Sequence, residues 1–152
     1  MRNFLVLAAF VVGCLAVGSL GGLVTMTPVV EWYPTLAKPS WTPPSWVFGP
    51  VWTVLYVMMA VAAWLVWRAG EAKTALLLFF AQLLLNLAWS FLFFGARSPG
   101  LGLIEIVFLW LAVAATIFAF SFRSRIAAFL MVPYLMWVSF ATALNAAIYM
   151  MN

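Results

Sequence analysis

The chain of 152 residues is 68% hydrophobic and only 7% charged, and its mean hydropathy is +1.18. A soluble domain of this size needs more charge on its surface, so this composition is typical of an integral membrane protein. The absence of histidine excludes imidazole metal sites and His-dependent catalytic triads, and the single cysteine, Cys14, excludes an intrachain disulfide. The formal charge of +4 comes from seven Lys and Arg residues scattered at the ends of apolar runs, so we expect no face that binds nucleic acid.

The apolar runs predict an all-α fold in which five helices cross the membrane. One crossing of about 30 Å of hydrocarbon takes about 20 apolar residues, and five such runs account for most of the chain. The first run is longer than the roughly 7–15 apolar residues of a signal peptide, which favours a retained span. We therefore predict a single membrane domain, residues 1–152, with spans at about 3–24, 45–67, 74–94, 100–122 and 126–151.

The segment between the first two spans, predicted as a capping loop over residues 25–44, collects prolines and tryptophans. Proline fixes φ and removes a backbone donor, so this stretch cannot form a regular spanning helix. An irregular backbone is excluded from hydrocarbon unless protein covers it. We therefore expect the segment to lie at the membrane surface, as a stiff cap over whatever the helices enclose.

Positive charges are unequally divided between the two ends of the predicted bundle. Five lie on the side of the N-terminus and two on the other side, which by the positive-inside rule predicts a cytoplasmic N-terminus. The five are Arg2, Arg68, Lys73, Arg123 and Arg125, and the two are Lys38 and Arg97.

Polar and aromatic side chains recur at helical spacing inside three of the spans. Steps of three and four residues place the members of each set on one helix face. Two interpretations remain open: the amides hold neighbouring helices together, or the three faces line a flat apolar cavity. The sets are Trp52 and Tyr56 in span 2; Gln82, Asn86 and Ser90, with Trp89 beside them, in span 3; and Tyr134, Trp137, Ala141 and Asn145 in span 5.

Glu105 is the only acidic residue inside a predicted span. A carboxylate in the membrane is by default a functional hypothesis, here a proton or cation site. The alternative is a neutral or hydrogen-bonded side chain near the interface. No basic residue at matching depth pairs with it, and the sequence leaves both interpretations open.

Four segments of the chain carry a longer pattern. They are residues 32–44 (WYPTLAKPSWTPP), 50–56 (PVWTVLY), 82–95 (QLLLNLAWSFLFFG) and 132–145 (VPYLMWVSFATALN). In this order they resemble the first loop and the second, third and fifth spans of the translocator protein / tryptophan-rich sensory protein family (TspO/MBR), in its bacterial form. The resemblance extends from the first span to the last without a large gap.

The resemblance implies a five-helix bundle, often a homodimer, in a bacterial cell membrane, with a pocket beneath the loop between spans 1 and 2. Members of the family bind porphyrins and haem, isoquinoline carboxamide and benzodiazepine drugs and, in some cases, sterols; the resemblance implies no required cofactor and no metal site. Carried over by motif, with Tyr56 added from its stripe, the ligand-binding residues are Tyr33, Trp41, Pro44, Trp52, Tyr56, Asn86, Trp89, Trp137 and Ala141.

Three functions follow as hypotheses. The first is a membrane receptor or sensor for protoporphyrin or haem, favoured because the chain has no conventional acid, base or metal constellation. The second is a light-dependent porphyrin-degrading enzyme, in which the resemblance gives the catalytic role to Trp52 and Trp137. The third is a porphyrin or sterol transporter; the odd number of spans and the incomplete sterol motif after Tyr149 argue against it.

Overall fold

The computed structural model describes residues 1–152 and contains five long helices and no strands. All five are long and apolar enough to cross a membrane, which confirms the predicted all-α membrane fold. The helices are α1 (Arg2–Glu31), α2 (Phe48–Ala69), α3 (Lys73–Ser90), α4 (Pro99–Ser121) and α5 (Arg125–Met151), with 3₁₀ turns at Tyr33–Thr35 and Ser45–Val47 and a π-helical turn at Phe91–Gly95 that continues α3.

The predicted boundary between the first span and the loop was wrong by seven residues. We predicted that the helix ends at residue 24, but α1 continues to Glu31 and contains Pro28. A proline removes only its own backbone donor, and the helix resumes at once, since the Trp32 N–H donates to the Pro28 carbonyl at 2.9 Å. The irregular segment, called the first loop below, therefore comprises only residues 32–44.

The other helix ends follow local rules. Ser98 and Ser124 cap α4 and α5, because each hydroxyl accepts a hydrogen bond from the backbone N–H three residues later, at 3.2 Å. Gly70 ends α2 with a φ of +79°, a left-handed conformation that glycine adopts without steric cost. These short connections make consecutive helices antiparallel and keep α3, α4 and α5 adjacent in turn, whereas α2 packs mainly on α1 and α5.

Around the bundle the helices follow the order α1, α2, α5, α4, α3, and α3 returns to α1. Small and aromatic residues fill the centre of the bundle, and four side chains form a smaller cluster beneath the first loop. Residues of both clusters border an internal cavity. The smaller cluster consists of Tyr33, Phe93, Leu144 and Ile148.

Candidate functional site

The cavity lies in the half of the bundle next to the first loop and has a volume of about 440 Å³. This value is within the range of roughly 300–1,000 Å³ that is typical of small-molecule sites. Its wall comes from α1, α2, α3 with its π-helical turn, and α5, whereas α4 contributes only Ile106 and Leu109. Most of the lining side chains are apolar, so the cavity suits a hydrophobic ligand.

The floor of the cavity is a hydrogen-bonded chain that connects α2, α3 and α5. The Tyr56 hydroxyl donates to Asn86 Oδ1, and Asn86 Nδ2 donates to the Tyr134 hydroxyl at 2.8 Å. Tyr134 in turn donates to Gln82 Oε1 at 2.8 Å, and Gln82 Nε2 donates to the Met59 sulfur at 3.7 Å. All five residues are buried, so each polar atom that finds a partner avoids the cost of being unpaired in hydrocarbon.

Aromatic rings form the walls above this floor. The Trp52 and Trp137 ring centroids lie 6.5 Å apart with an interplanar angle of 89°, so the two indoles make a right-angled corner. On the opposite helix Trp89 stacks on Phe93, with centroids 4.9 Å apart and planes 20° from parallel. Flat aromatic surfaces at different angles favour offset or edge contacts with another planar ring system.

Asn145 fixes the orientation of one of these indoles. Its Oδ1 accepts a hydrogen bond from Trp89 Nε1 at 3.0 Å, and its Nδ2 donates to the Pro99 carbonyl at 2.8 Å. The amide therefore joins α5 to α3 and to the start of α4. The π-helical turn follows Trp89 directly and carries Phe93 and Phe94 to the cavity wall. Such turns occur often at functional sites.

Trp137 differs from Trp89 in its hydrogen bonding. Its buried Nε1 has no hydrogen-bond partner, although the side chain borders the cavity. A buried indole N–H without an acceptor is unusual, because indoles normally find one. Because the Nε1 atom itself is buried, a ligand in the cavity would reach it only after a rotation of the indole.

Seven of the nine predicted ligand-binding residues border the cavity and two do not. Trp41 is 48% exposed and packs on Phe140 with centroids 5.7 Å apart, while Pro44 is exposed. The assignment of both to ligand binding stays a prediction. The seven that line the cavity are Tyr33, Trp52, Tyr56, Asn86, Trp89, Trp137 and Ala141.

Sequence reasoning missed the wall that α1 provides. Gly18 and Gly22 lie four residues apart, a spacing typical of a smooth helix surface, and this was the one signal in the sequence that could have pointed to α1. Val29 and Met26 carry no polar or motif signal, so only their position in the folded helix shows that they line the site. The α1 lining comprises Leu15, Gly18, Ser19, Gly21, Gly22, Thr25, Met26 and Val29.

The first loop is joined to the end of α5 by hydrogen bonds at one residue, and Lys38 braces the loop internally. Asn152 Oδ1 accepts a hydrogen bond from the Ala37 N–H at 3.0 Å, and its Nδ2 donates to the Ala37 carbonyl at 2.9 Å. Lys38 Nζ donates to the carbonyls of Tyr33 and Leu36 at 2.8 and 3.0 Å, and lies 4.8 Å from the Tyr33 ring centroid. Burial raises the pKa of the Tyr33 phenol, which therefore stays protonated at neutral pH.

Glu105 lies on α4 outside the cavity wall and is 8% exposed. Neither carboxyl oxygen has a hydrogen-bond partner, and no Lys or Arg forms a salt bridge with it. An unpaired charge in hydrocarbon costs several kcal/mol, so we expect the group to carry a proton. The change Glu105→Gln should then leave the thermal unfolding temperature close to that of the wild type. Infrared spectroscopy at neutral pH should show the carbonyl band of a protonated carboxylic acid that disappears in this variant.

A second substitution at Glu105 tests how a charged side chain at this position affects the unfolding temperature. Glu105→Lys places a group that is normally charged at the same position and should lower the unfolding temperature strongly. A carboxylate band without the acid band in the wild type would show that Glu105 is ionised and would contradict the expectation.

No three His, Cys, Asp or Glu side chains lie close enough together to hold a metal ion. The polar atoms at the cavity are amides, hydroxyls and indole N–H groups, which are suited to orienting a ligand rather than to ligating a metal.

Known proteins resemble this chain along most of its length. The profile of the TspO/MBR family matches residues 10–151. The tryptophan-rich protein TspO of Chlorobaculum tepidum is 46% identical over 155 residues, which cover 99% of this chain and 98% of that protein. The translocator protein of Homo sapiens is 43% identical, over 81% of this chain and 76% of its own length. The tryptophan-rich sensory protein of Cereibacter sphaeroides is 40% identical, over 90% and 84% respectively.

Proposed function

The chain belongs to the TspO/MBR family, and from this membership and the cavity we propose that it is a membrane receptor or sensor for porphyrins. It is an integral multi-pass membrane protein, so its ligands reach it from a bilayer or from the water at its surface. The observation that carries the proposal is the wall of three indoles, Trp52, Trp89 and Trp137, around one cavity.

Protoporphyrin and haem are large, flat and mostly apolar. The perpendicular indoles of Trp52 and Trp137 offer such a macrocycle one face contact and one edge contact at the same corner. No acid, base or metal cluster at the wall points to turnover, so binding is the favoured role.

The polar edge of a porphyrin also has a counterpart. Protoporphyrin carries two carboxylates on one side of the ring, and Lys38 lies over Tyr33, which borders the cavity below the first loop. No Asp or Glu forms a salt bridge with Lys38, whereas Arg97 is paired with Glu31 at 3.5 Å. A carboxylate that reaches the loop end of the cavity would therefore meet an uncompensated positive charge.

Titration of the purified protein with protoporphyrin tests the proposal. We expect tryptophan emission to fall in a saturable manner with an end point at about one porphyrin per chain, because Trp52, Trp89 and Trp137 all border one cavity. Protein-free detergent micelles serve as the control for partitioning. A linear decrease without saturation would show that the pigment only dissolves in the micelle and would contradict the proposal.

The tryptophan corner also supports a second candidate function, light-dependent porphyrin degradation. An indole in contact with an excited porphyrin can donate an electron to it, and Trp52 and Trp137, which both border the cavity, would be the donors. Illumination of the same samples separates the two functions. If the protein is a receptor, the porphyrin absorbance should decrease at the same rate as in the protein-free control. If it is an enzyme, the absorbance should decrease faster, and this additional rate should be lost in Trp52→Phe and Trp137→Phe.

A further inference from the structure

The cavity reaches the outer surface of the bundle on one side only. Of the residues that line it, every exposed one belongs to α1 or to the start of the second span. We call these residues the lateral mouth; they are Ser19, Gly22 and Met26 on one side and Ser45, Gly49 and Thr53 on the other.

The lateral mouth exists because α1 and α2 separate above a tight crossing. At the crossing, a Cβ added to Gly18 would lie 2.6 Å from the Tyr56 ring. One turn further along α1, a Cβ on Gly22 would meet no atom within 4 Å, and the same holds for Gly49 on α2. Above the crossing α1 packs on α3 instead, where a Cβ on Gly21 would lie 3.1 Å from Ser90 Oγ.

The lateral mouth extends from Ser45 at the loop end of the bundle down to Gly22 and Thr53, and these two deeper residues lie in hydrocarbon. Gly22 precedes Glu31, the charged end of α1, by nine residues, which is about 13 Å along a helix axis. Thr53 follows Ser45 by eight residues, or about 12 Å. Because the apolar core of a bilayer is about 30 Å thick, these positions lie well inside one leaflet.

The two hydroxyls at the deeper part of the lateral mouth need no water, whereas Ser45 lies at its surface end. Ser19 Oγ donates to the Leu15 carbonyl at 2.8 Å, and Thr53 Oγ1 donates to the Gly49 carbonyl at 2.9 Å. Each hydroxyl is thus satisfied within its own helix, as lipid-facing Ser and Thr residues often are. Apolar molecules can approach this opening without leaving a polar atom unpaired.

The route from water is obstructed by comparison. The first loop is held to the end of α5 by the two Asn152–Ala37 hydrogen bonds, and Trp41 of the loop packs on Phe140 of α5. Opening it would break these contacts, whereas the lateral mouth requires no bond to break. We propose that the cavity exchanges its ligand, a flat apolar molecule dissolved in the bilayer, through the lateral mouth between α1 and α2; this inference rests on the proposed function.

The test compares two glycines of α1 that both have free space around them. Gly22→Phe places a ring at the lateral mouth, and Gly13→Phe places the same ring on an exposed part of α1 away from the cavity. In proteoliposomes mixed with protoporphyrin, we expect Gly22→Phe to slow association and dissociation together by about tenfold or more, with a smaller change in affinity. Gly13→Phe should keep wild-type rates. The wild-type association rate should follow the mole fraction of porphyrin in the lipid, not its concentration in water.

Wild-type rates in Gly22→Phe, or a rate set by the aqueous concentration, would overturn the lateral route and leave the receptor function intact if binding still saturates.

A second measurement uses no porphyrin, so it tests the lateral route even if the wild-type protein does not bind porphyrin. Phospholipids with brominated acyl chains should quench the tryptophan emission that Trp52 contributes. This contribution is the emission of a protein with Trp52 minus the emission of the same protein with Trp52→Phe. The quenching should be weaker when Gly22→Phe is present. Absence of this quenching would mean that hydrocarbon does not reach the cavity.

Discussion

Replacing Trp137 with phenylalanine is expected to weaken protoporphyrin binding by roughly two- to tenfold, because an aromatic contact contributes about 0.5–1.5 kcal/mol beyond the area it buries. The change keeps an aromatic ring but removes the second ring of the indole and its unpartnered Nε1 donor. Trp52→Phe should cost a similar factor, since Trp52 forms the other side of the corner. The affinity is measured from the shift of the main porphyrin absorption band, which does not depend on how many tryptophans remain.

The double variant distinguishes a shared site from two separate ones. Because the two indoles are in contact with each other, their effects on one bound ligand should not simply add. Trp46→Phe is the matched control, since Trp46 is 75% exposed, donates no hydrogen bond and does not border the cavity. Equal affinities in the control and in both cavity variants would place the porphyrin elsewhere on the protein.

Introducing a β-branched side chain at Gly18 is expected to destabilise the protein by about 1–3 kcal/mol, the usual cost of overpacking a filled contact. The first added carbon would lie 2.6 Å from the Tyr56 ring. That ring cannot move freely, because its hydroxyl donates to Asn86 and its face packs on Trp52 with centroids 5.7 Å apart. Displacing Tyr56 would also disturb the floor of the cavity, so Gly18→Val should weaken porphyrin binding as well.

Gly22→Val provides the comparison for the stability measurement. It introduces the same side chain one helical turn away, where nothing lies within 4 Å. Thermal unfolding in detergent, followed by circular dichroism, should show a clearly lower midpoint for Gly18→Val only. Identical midpoints in the two variants would mean that α1 and α2 are not in contact at Gly18 in the folded protein.

The chain of hydrogen bonds beneath the cavity, on which the Gly18→Val prediction depends, also explains the role of Asn86. Asn86 borders the cavity, but its Oδ1 and Nδ2 are each already bonded to a tyrosine of another helix. The two interpretations of the amide faces are therefore compatible in Asn86, which joins helices and also forms the floor. Gln82 lies one turn lower and serves only the contacts between helices.

The number, type and order of the helices could be predicted from the sequence. Hydrocarbon about 30 Å thick permits few backbone structures, so apolar runs of 20 or more residues between charged turns leave little choice. A second rule concerns side chains. Residues spaced by three and four positions share one helix face, and this spacing predicted that Trp52, Asn86 and Trp137 lie on faces that point inward. The start of the first loop was missed because α1 continues through Pro28. The proline removes one backbone hydrogen bond, and packing of the helix can outweigh that loss.

The tertiary structure decided which inward faces meet and where space remains between them. Gly18 and Gly22 are the same residue type four positions apart, yet one touches Tyr56 and the other faces an opening. Likewise Trp89 and Trp137 are both inward indoles, but only Trp89 has an acceptor for its N–H. Sequence periodicity specifies a direction around one helix axis, whereas contacts and voids depend on the crossing angle and separation of two helices, which no single segment contains.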